Sequence, residues 1–294
     1  MENNIKAPTL CHCCGVGKYK EFTDIIRSYC RDESDPNHHV FKSLIEHPFA
    51  DRTVLLGGEN IITSIGKMKD VYKCENVSCR HVLRNYFGNA SDYHSSDYRK
   101  KDGSLSAQLN KEKENIRIGR NRRIVNAVHE FLSKSYSCLE IGVGRGYFIP
   151  EIKRVVGKLS AIEIDKDAIE YSRGRLEGVD VRCLDVLEMP EDKGYDVVFA
   201  LDVLEHIEDV KKFVTKMSKI VNKYLILQLP MHRPLLSPNP NWELGDAGHI
   251  HYFTGDSVKK LFKDKFMFRK LYYTQPGETA GGHEFIVVFE NKGE

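Results

Sequence analysis

Residues 137–148 read SCLEIGVGRGYF. A short apolar run ends in an acid, Glu140, then passes through Gly142, Gly144 and Gly146 into a helical pattern at Tyr147. This order describes a buried strand, a tight turn and a helix. Alternate glycines let the backbone turn sharply and remove side chains that would keep a ligand away from the main chain. The spacing Gly-x-Gly-x-Gly departs from the dinucleotide pattern Gly-x-Gly-x-x-Gly. An anion at Glu140, directly before the loop, suits a cationic amine better than a pyrophosphate.

From this stretch to the C-terminus, apolar runs alternate with helical patterns. Strands are expected at 137–141, 159–164, 179–184, 195–200 and 224–229, with helices at 147–156, 167–176 and 210–221. Such alternation predicts an α/β fold with a doubly wound parallel sheet. The tail differs: a helix near 256–262 precedes two runs, 266–274 and 283–290, that read as an antiparallel hairpin able to insert into the sheet. Glu163 ends the second strand, about 20 residues after the loop, where an acid can accept hydrogen bonds from ribose hydroxyls. Asp165 reads as the cap of the next helix. Asp185 lies at the end of the third strand. All three acids fall at carboxyl ends of neighbouring strands, where open α/β sheets bind ligands.

The stretches LEIGVGRG, AIEIDKDAIEYSRGR, CLDV, YDVVFALDVLEHIED and LILQLP together cover roughly residues 135–230. In order and spacing they resemble class I S-adenosylmethionine-dependent methyltransferases of the ubiquinone-biosynthesis O-methyltransferase type. The resemblance implies a Rossmann-like sheet and S-adenosylmethionine as cofactor. It implies that Glu140, Gly142, Gly144 and Gly146 hold the methionine part and that Glu163, with Ile164, holds the ribose. Asp185 and Val186 would contact the adenine, and Leu201 and Asp202 would line the cofactor near the sulfonium. An arginine for the cofactor carboxylate would come from the cluster Arg117, Arg120, Arg122 and Arg123, with Arg123 the expected residue.

Methyl transfer requires in-line approach of a nucleophile, and a hydroxyl or carbon acid also needs a base. The candidates are His249 and His251, in the run GDAGHIHYFT, and then His206 in LEHI. The first two are expected on a loop overhanging the sheet, on one side of an extended segment. The preceding run, rich in Pro, Asn and Gly and holding Trp242, reads as a substrate loop.

Six of the eight cysteines lie in the first 79 residues. Cys11 and Cys14 form a C-x-x-C-G knuckle, and Cys74 and Cys79 form a C-x4-C pair. Two such pairs suit a tetrahedral zinc site, with Cys13, His12 and His81 as competing ligands. The arrangement resembles methyltransferases that carry an N-terminal zinc module and modify sugars or secondary metabolites. Cys138 and Cys183 read as inert core residues. Expected domains are a cysteine-rich module over 1–90, a linker or lid with a helix over 91–135, and the methyltransferase domain over 136–294. Tyr86, Tyr93 and Tyr98 fit a lid and a plain linker equally.

A net charge of +2 gives no global argument for nucleic acid, and no apolar run reaches the length of a membrane span. No secretory signal is evident, so the expected compartment is the cytoplasm. The favoured acceptor is a small molecule, a sugar, nucleotide-linked sugar or other metabolite methylated on oxygen or carbon. Two other readings stay open. One is an RNA methyltransferase, suggested by the basic stretch from Arg99 to Arg123. The other is a non-catalytic scaffold of the same fold. The oligomeric state is not legible.

Overall fold

The computed structural model describes residues 10–21, 54–56, 59–61, 71–79, 81–84, 111–191, 194–231, 249–273 and 284–293. Cys30, Tyr86, Tyr93, Tyr98, Arg99 and Trp242 lie outside the described residues. The chain forms two compact units: Met1–Phe87 with Met231–Lys260, and Gly88–Pro230 with Leu261–Glu294.

In the first unit β1 (Tyr19–Glu21), β4 (Val71–Cys74), β5 (Val82–Arg84) and β11 (His251–Tyr252) form one sheet in that order. A separate ribbon pairs β2 (Val54–Leu56) with β3 (Glu59–Ile61). The pairing of β11 with β5 is antiparallel, with His251 opposite Leu83 and Tyr252 opposite Val82. This pairing differs from the expected partition, which assigns 231–260 to the methyltransferase domain. His251 and Tyr252 find a ladder partner at the edge of β5, and both are fully buried, as is Phe253 beside them.

The second unit is a seven-stranded sheet. It contains β6 (Ser137–Ile141), β7 (Lys158–Glu163), β8 (Asp180–Cys183), β9 (Tyr195–Leu201), β10 (Val221–Pro230), β12 (Phe266–Tyr273) and β13 (Glu284–Asn291). Their order is β12-β13-β10-β9-β6-β7-β8. The strands from β10 to β8 are parallel, and β13 runs antiparallel between β10 and β12. The expected hairpin thus places its second strand inside the sheet. Chain order reverses direction between β6 and β9, and such a switch point opens the ligand crevice of a doubly wound sheet.

The helices are α1 (Lys111–Ala127), α2 (Ile149–Ile152), α3 (Lys166–Ser172), α4 (Val210–Ile220) and α5 (Gly255–Phe262). Helix α4 buries Val210, Phe213, Val214, Met217 and Ile220, a helical period that gives one apolar face, and Asp209 caps it through Lys212 N at 2.9 Å. Ile124 and Val125 of α1, with Val128 just after it, join Phe148, Ile149, Val197, Phe199, Ile226 and Ile286 in a continuous core. Helix α1 therefore belongs to this unit, although the sequence sets it apart with the linker. Cys138 is buried as expected, but Cys183 is exposed, because β8 is the edge strand. No helix among the described residues is long and apolar enough to cross a membrane.

Candidate functional site

The parallel strands end together at the switch point, and the expected cofactor residues gather there. Strand β6 carries Glu140 to its end with 3% exposure. Gly142, Gly144 and Gly146 then adopt φ values of 75°, 50° and 71°, in the left-handed region that favours glycine. A Cβ on Gly142 would stand 2.7 Å from Val203 Cγ2, so the loop lies too close to the turn after β9 for any side chain.

Glu163, at the end of β7, is buried and held by three main-chain donors. Its Oε2 accepts from Gly144 N at 2.9 Å, and its Oε1 accepts from Ile164 N at 2.9 Å and Asp165 N at 3.0 Å. Ile164 beside it stays 37% exposed, an apolar surface open to a flat ring. Asp165 caps α3, as expected, accepting from Asp167 N at 2.8 Å. Asp185 caps a short turn through Leu187 N at 2.8 Å and fixes the backbone of Val186.

Glu140 Oε2 is buried and has no hydrogen-bond partner among the described residues. Burial first, then the facing Glu163, push the Glu140 carboxyl well above the usual carboxylate range. A buried acid left in this state accommodates a cation. The ammonium of a methionine moiety fits it in charge and in donor chemistry.

Opposite the loop, Asp202 follows β9 with φ 54°, a strained value for a non-glycine residue. Arg120 of α1 holds it at 2.6 Å and also donates to Glu284 Oε2 at 2.8 Å and to Gln228 Oε1 at 2.5 Å. Burial opposes the charge of Arg120, but Asp202 and Glu284 outweigh it and keep the guanidinium above its ordinary value. Arg120, rather than Arg123, thus ties α1 to the ends of β9 and β10. Arg123 Nε is buried without a hydrogen-bond partner among the described residues. Arg122 pairs with Glu151 at 3.2 Å. Arg117 is held below its ordinary value by burial and then by Arg145 and Arg120. Neighbouring cations of this kind favour an anion between them.

The histidines separate. His206 ends the turn Leu204–His206 directly after β9 and is half-buried. His249 is buried, in ring contact with Tyr252. His251 is not on an open loop: it lies in β11, fully buried, with Nδ1 3.2 Å from His81 Nε2. A two-residue strand is invisible in a stretch dominated by His, Gly and Asp.

In the cysteine-rich unit, Cys11, Cys14, Cys74 and Cys79 converge, all buried. Cys11 Sγ lies 3.8 Å from Cys79 Sγ, and Cys14 Sγ lies 3.7 Å from Cys74 Sγ. Four thiolates about 2.3 Å from a tetrahedral zinc would stand about 3.8 Å apart, so the donor set fits that ion. Gly17 N donates to Cys14 Sγ at 3.3 Å, and a Cβ on Gly17 would lie 2.4 Å from Cys74 Sγ, so the knuckle needs glycine there. Hydrogen bonds from Cys13 and then Cys79 hold Cys11 well below the usual thiol range.

Each unit also holds contact residues that the sequence pattern does not single out. Gln228 is a fully buried amide inside the apolar run LILQLP, a detectable signal. Glu284 reaches Arg120 only through the insertion of β13, and Tyr19 reaches His81 only through the β1–β4 pairing.

Comparisons agree with this geometry. A relative described as a probable S-adenosylmethionine-dependent methyltransferase of Mycobacterium tuberculosis (strain CDC 1551 / Oshkosh) is 32% identical over 128 residues, 43% of this chain and 46% of the relative. A ubiquinone biosynthesis O-methyltransferase of Rhodopseudomonas palustris (strain BisB5) is 29% identical over 101 residues, 30% of this chain and 39% of that protein. The chain thus matches less than half the length of these relatives. Among solved structures, the N-methyltransferase NodS of Bradyrhizobium japonicum WM9, in complex with S-adenosyl-L-homocysteine, superposes with a TM-score of 0.54 at 16% identity. The match covers 67% of this chain and 100% of NodS. The magnesium protoporphyrin IX methyltransferase of Synechocystis PCC 6803 with bound SAM gives 0.52 at 16% identity, over 71% of this chain and 100% of that one, and both likenesses establish the fold. A family model described as a methyltransferase domain matches residues 114–265, from α1 through the whole parallel sheet to the start of the C-terminal strands, and the chain belongs to that family.

Proposed function

We propose that the protein transfers a methyl group from S-adenosylmethionine to a small-molecule acceptor. The observation that carries this reading is the pair of buried acids, Glu140 and Glu163, set around a glycine loop at the switch point of the sheet. When bound, the cofactor supplies an electrophilic methyl group on a sulfonium. The chain supplies placement. Glu140 receives the amine, Glu163 the ribose, Ile164 and the backbone of Val186 the adenine, and Arg117 the carboxylate, with Arg123 as a further cation. Asp202, fixed by Arg120, closes the methionine end. The relatives in ubiquinone and magnesium protoporphyrin chemistry favour a small molecule.

The proton of the acceptor passes to His206, the last residue of the turn after β9. His251 is engaged with His81 instead. His206→Ala should lower turnover by about a hundredfold or more and leave cofactor affinity within about twofold. Turnover is followed as S-adenosylhomocysteine release with a panel of hydroxylated metabolites, and unchanged turnover would remove His206 from this role.

Cofactor binding should also release a proton. Without ligand, burial and then the facing Glu163 raise the Glu140 carboxyl and favour its protonated form. A facing ammonium stabilises the carboxylate and pulls that value down, so affinity rises with pH until the free protein's Glu140 titrates. Before binding, the same group makes stability fall as pH climbs above its unfolded value, since the folded state holds the extra proton. Calorimetric titrations in two buffers of different ionisation enthalpy measure the release directly. Glu140→Gln should abolish it. The tetrathiolate set is proposed to hold a structural zinc ion.

A further inference from the structure

The cysteine-rich unit has more donors than one tetrahedral ion uses. A second group, Cys11, Cys13 and His81, also converges, with all ligand atoms within 4.8 Å of one another and all three residues buried. The two groups share Cys11. Cys11 Sγ lies 3.9 Å from His81 Nδ1, against about 3.6 Å expected for a sulfur and a nitrogen on one tetrahedral zinc. The Tyr19 hydroxyl lies 2.7 Å from the same ring nitrogen and would form the fourth corner once that separation opens to about 3.3 Å.

The other face of His81 is built as ligating histidines are built. Its Nε2 lies 3.2 Å from His251 Nδ1, and the two rings stack with centroids 5.2 Å apart. A metal-bound imidazole almost always gives its remote N–H to a fixed acceptor, which sets the tautomer and aims the other nitrogen at the ion. His251, itself fully buried, stands at hydrogen-bond distance to serve as that acceptor. Thr254 Oγ1 donates to Cys79 O at 2.9 Å and anchors the segment that presents it.

We propose that this unit binds a second divalent ion of the zinc class through Cys11, Cys13, His81 and Tyr19, with the Cys11 thiolate bridging it to the ion of the tetrathiolate set. A bridging thiolate has a lone pair for each metal, and metal pairs sharing a ligand sit about 3.5–4 Å apart. The proposal explains why a third thiol of the knuckle turns inward with 4% exposure. It rests on the tetrathiolate reading for its bridge. His251 is a positioning residue in it, acting through His81.

Stepwise addition of cobalt(II) to the metal-stripped full-length chain, with zinc content measured on the protein as purified, tests the proposal. The wild type should take up two equivalents, the first giving the intense charge-transfer absorption of a tetrathiolate and the second a separate step. Cys13→Ser and His81→Ala should each take up one, and retention of the first step shows that the unit still folds. His251→Ala should keep both steps with the second weakened about 10–100-fold. A wild type that saturates at one equivalent overturns the second site and leaves the tetrathiolate reading standing, and so does a Cys13→Ser chain that still takes two. A chain that takes up no cobalt overturns both.

Discussion

Glu163→Ala should abolish measurable cofactor binding, lowering affinity at least about a hundredfold. A hydrogen bond to a charged group contributes about 1.5–3 kcal/mol, and two ribose hydroxyls would meet this carboxylate. Two such bonds amount to at least about two factors of ten. The loss extends beyond the ligand, because Glu163 also receives N–H groups from Gly144, Ile164 and Asp165. Their loss loosens the glycine loop itself. Glu163→Gln is a sharper probe, since its volume is kept while one oxygen becomes an N–H donor facing a main-chain donor. Asp185→Ala provides the contrast. Its oxygen satisfies one turn donor, and capping losses are about 1 kcal/mol, so affinity should fall by less than about tenfold. Isothermal calorimetry with S-adenosylhomocysteine on the three variants checks the order. Equal effects for Glu163→Ala and Asp185→Ala would remove the ribose role from Glu163.

Arg120→Met should produce the largest loss of stability outside the hydrophobic core, about 3–5 kcal/mol. The side chain is only 17% exposed and faces Glu284 at 13%. Removing the cation leaves that carboxylate buried without its partner, and burial already raises Glu284 above its usual range. Gln228 loses its donor as well. The Asp202 arm contributes less, since Asp202 is 43% exposed and water screens it. For a domain of this size the melting temperature should fall on the order of 10 °C. Arg122→Met should move it by no more than about 2 °C, since Arg122 is 55% exposed and the buried Glu151 keeps its second partner, Arg154, at 3.1 Å. Differential scanning fluorimetry distinguishes the two. The double variant Arg120→Met/Glu284→Leu should recover much of the loss, because an apolar pair replaces an unpaired buried charge.

The fold and the places of the residues expected to hold the cofactor were legible along the chain for one reason. Each lies at a fixed place in a local strand–turn–helix unit. Strand β6 occupies Ser137–Ile141, and Gly142, Gly144, Gly146 and Glu163 take their places from that unit and the next. Local period, glycine conformation and capping carry this information in short windows. The convergence of Cys11, Cys14, Cys74 and Cys79 was legible from the chemistry of two cysteine pairs, despite the long insert between them.

Contacts between distant segments were decided otherwise. Arg120 meets Glu284 across 164 residues because β13 inserts antiparallel beside β10. His251 meets His81 across 170 residues because two residues of β11 complete the edge of β5. Such pairings depend on which sheet edge is left open, and an edge exists only once the other strands are in place. The sequence therefore determined that this chain builds a glycine-loop cofactor crevice and a thiolate cluster. Only the tertiary structure decided that Arg120 ties α1 to Asp202 and Glu284 and that His251, expected on an open loop, belongs to the cysteine-rich unit, because long-range strand pairing is a property of the assembled sheets rather than of any local window.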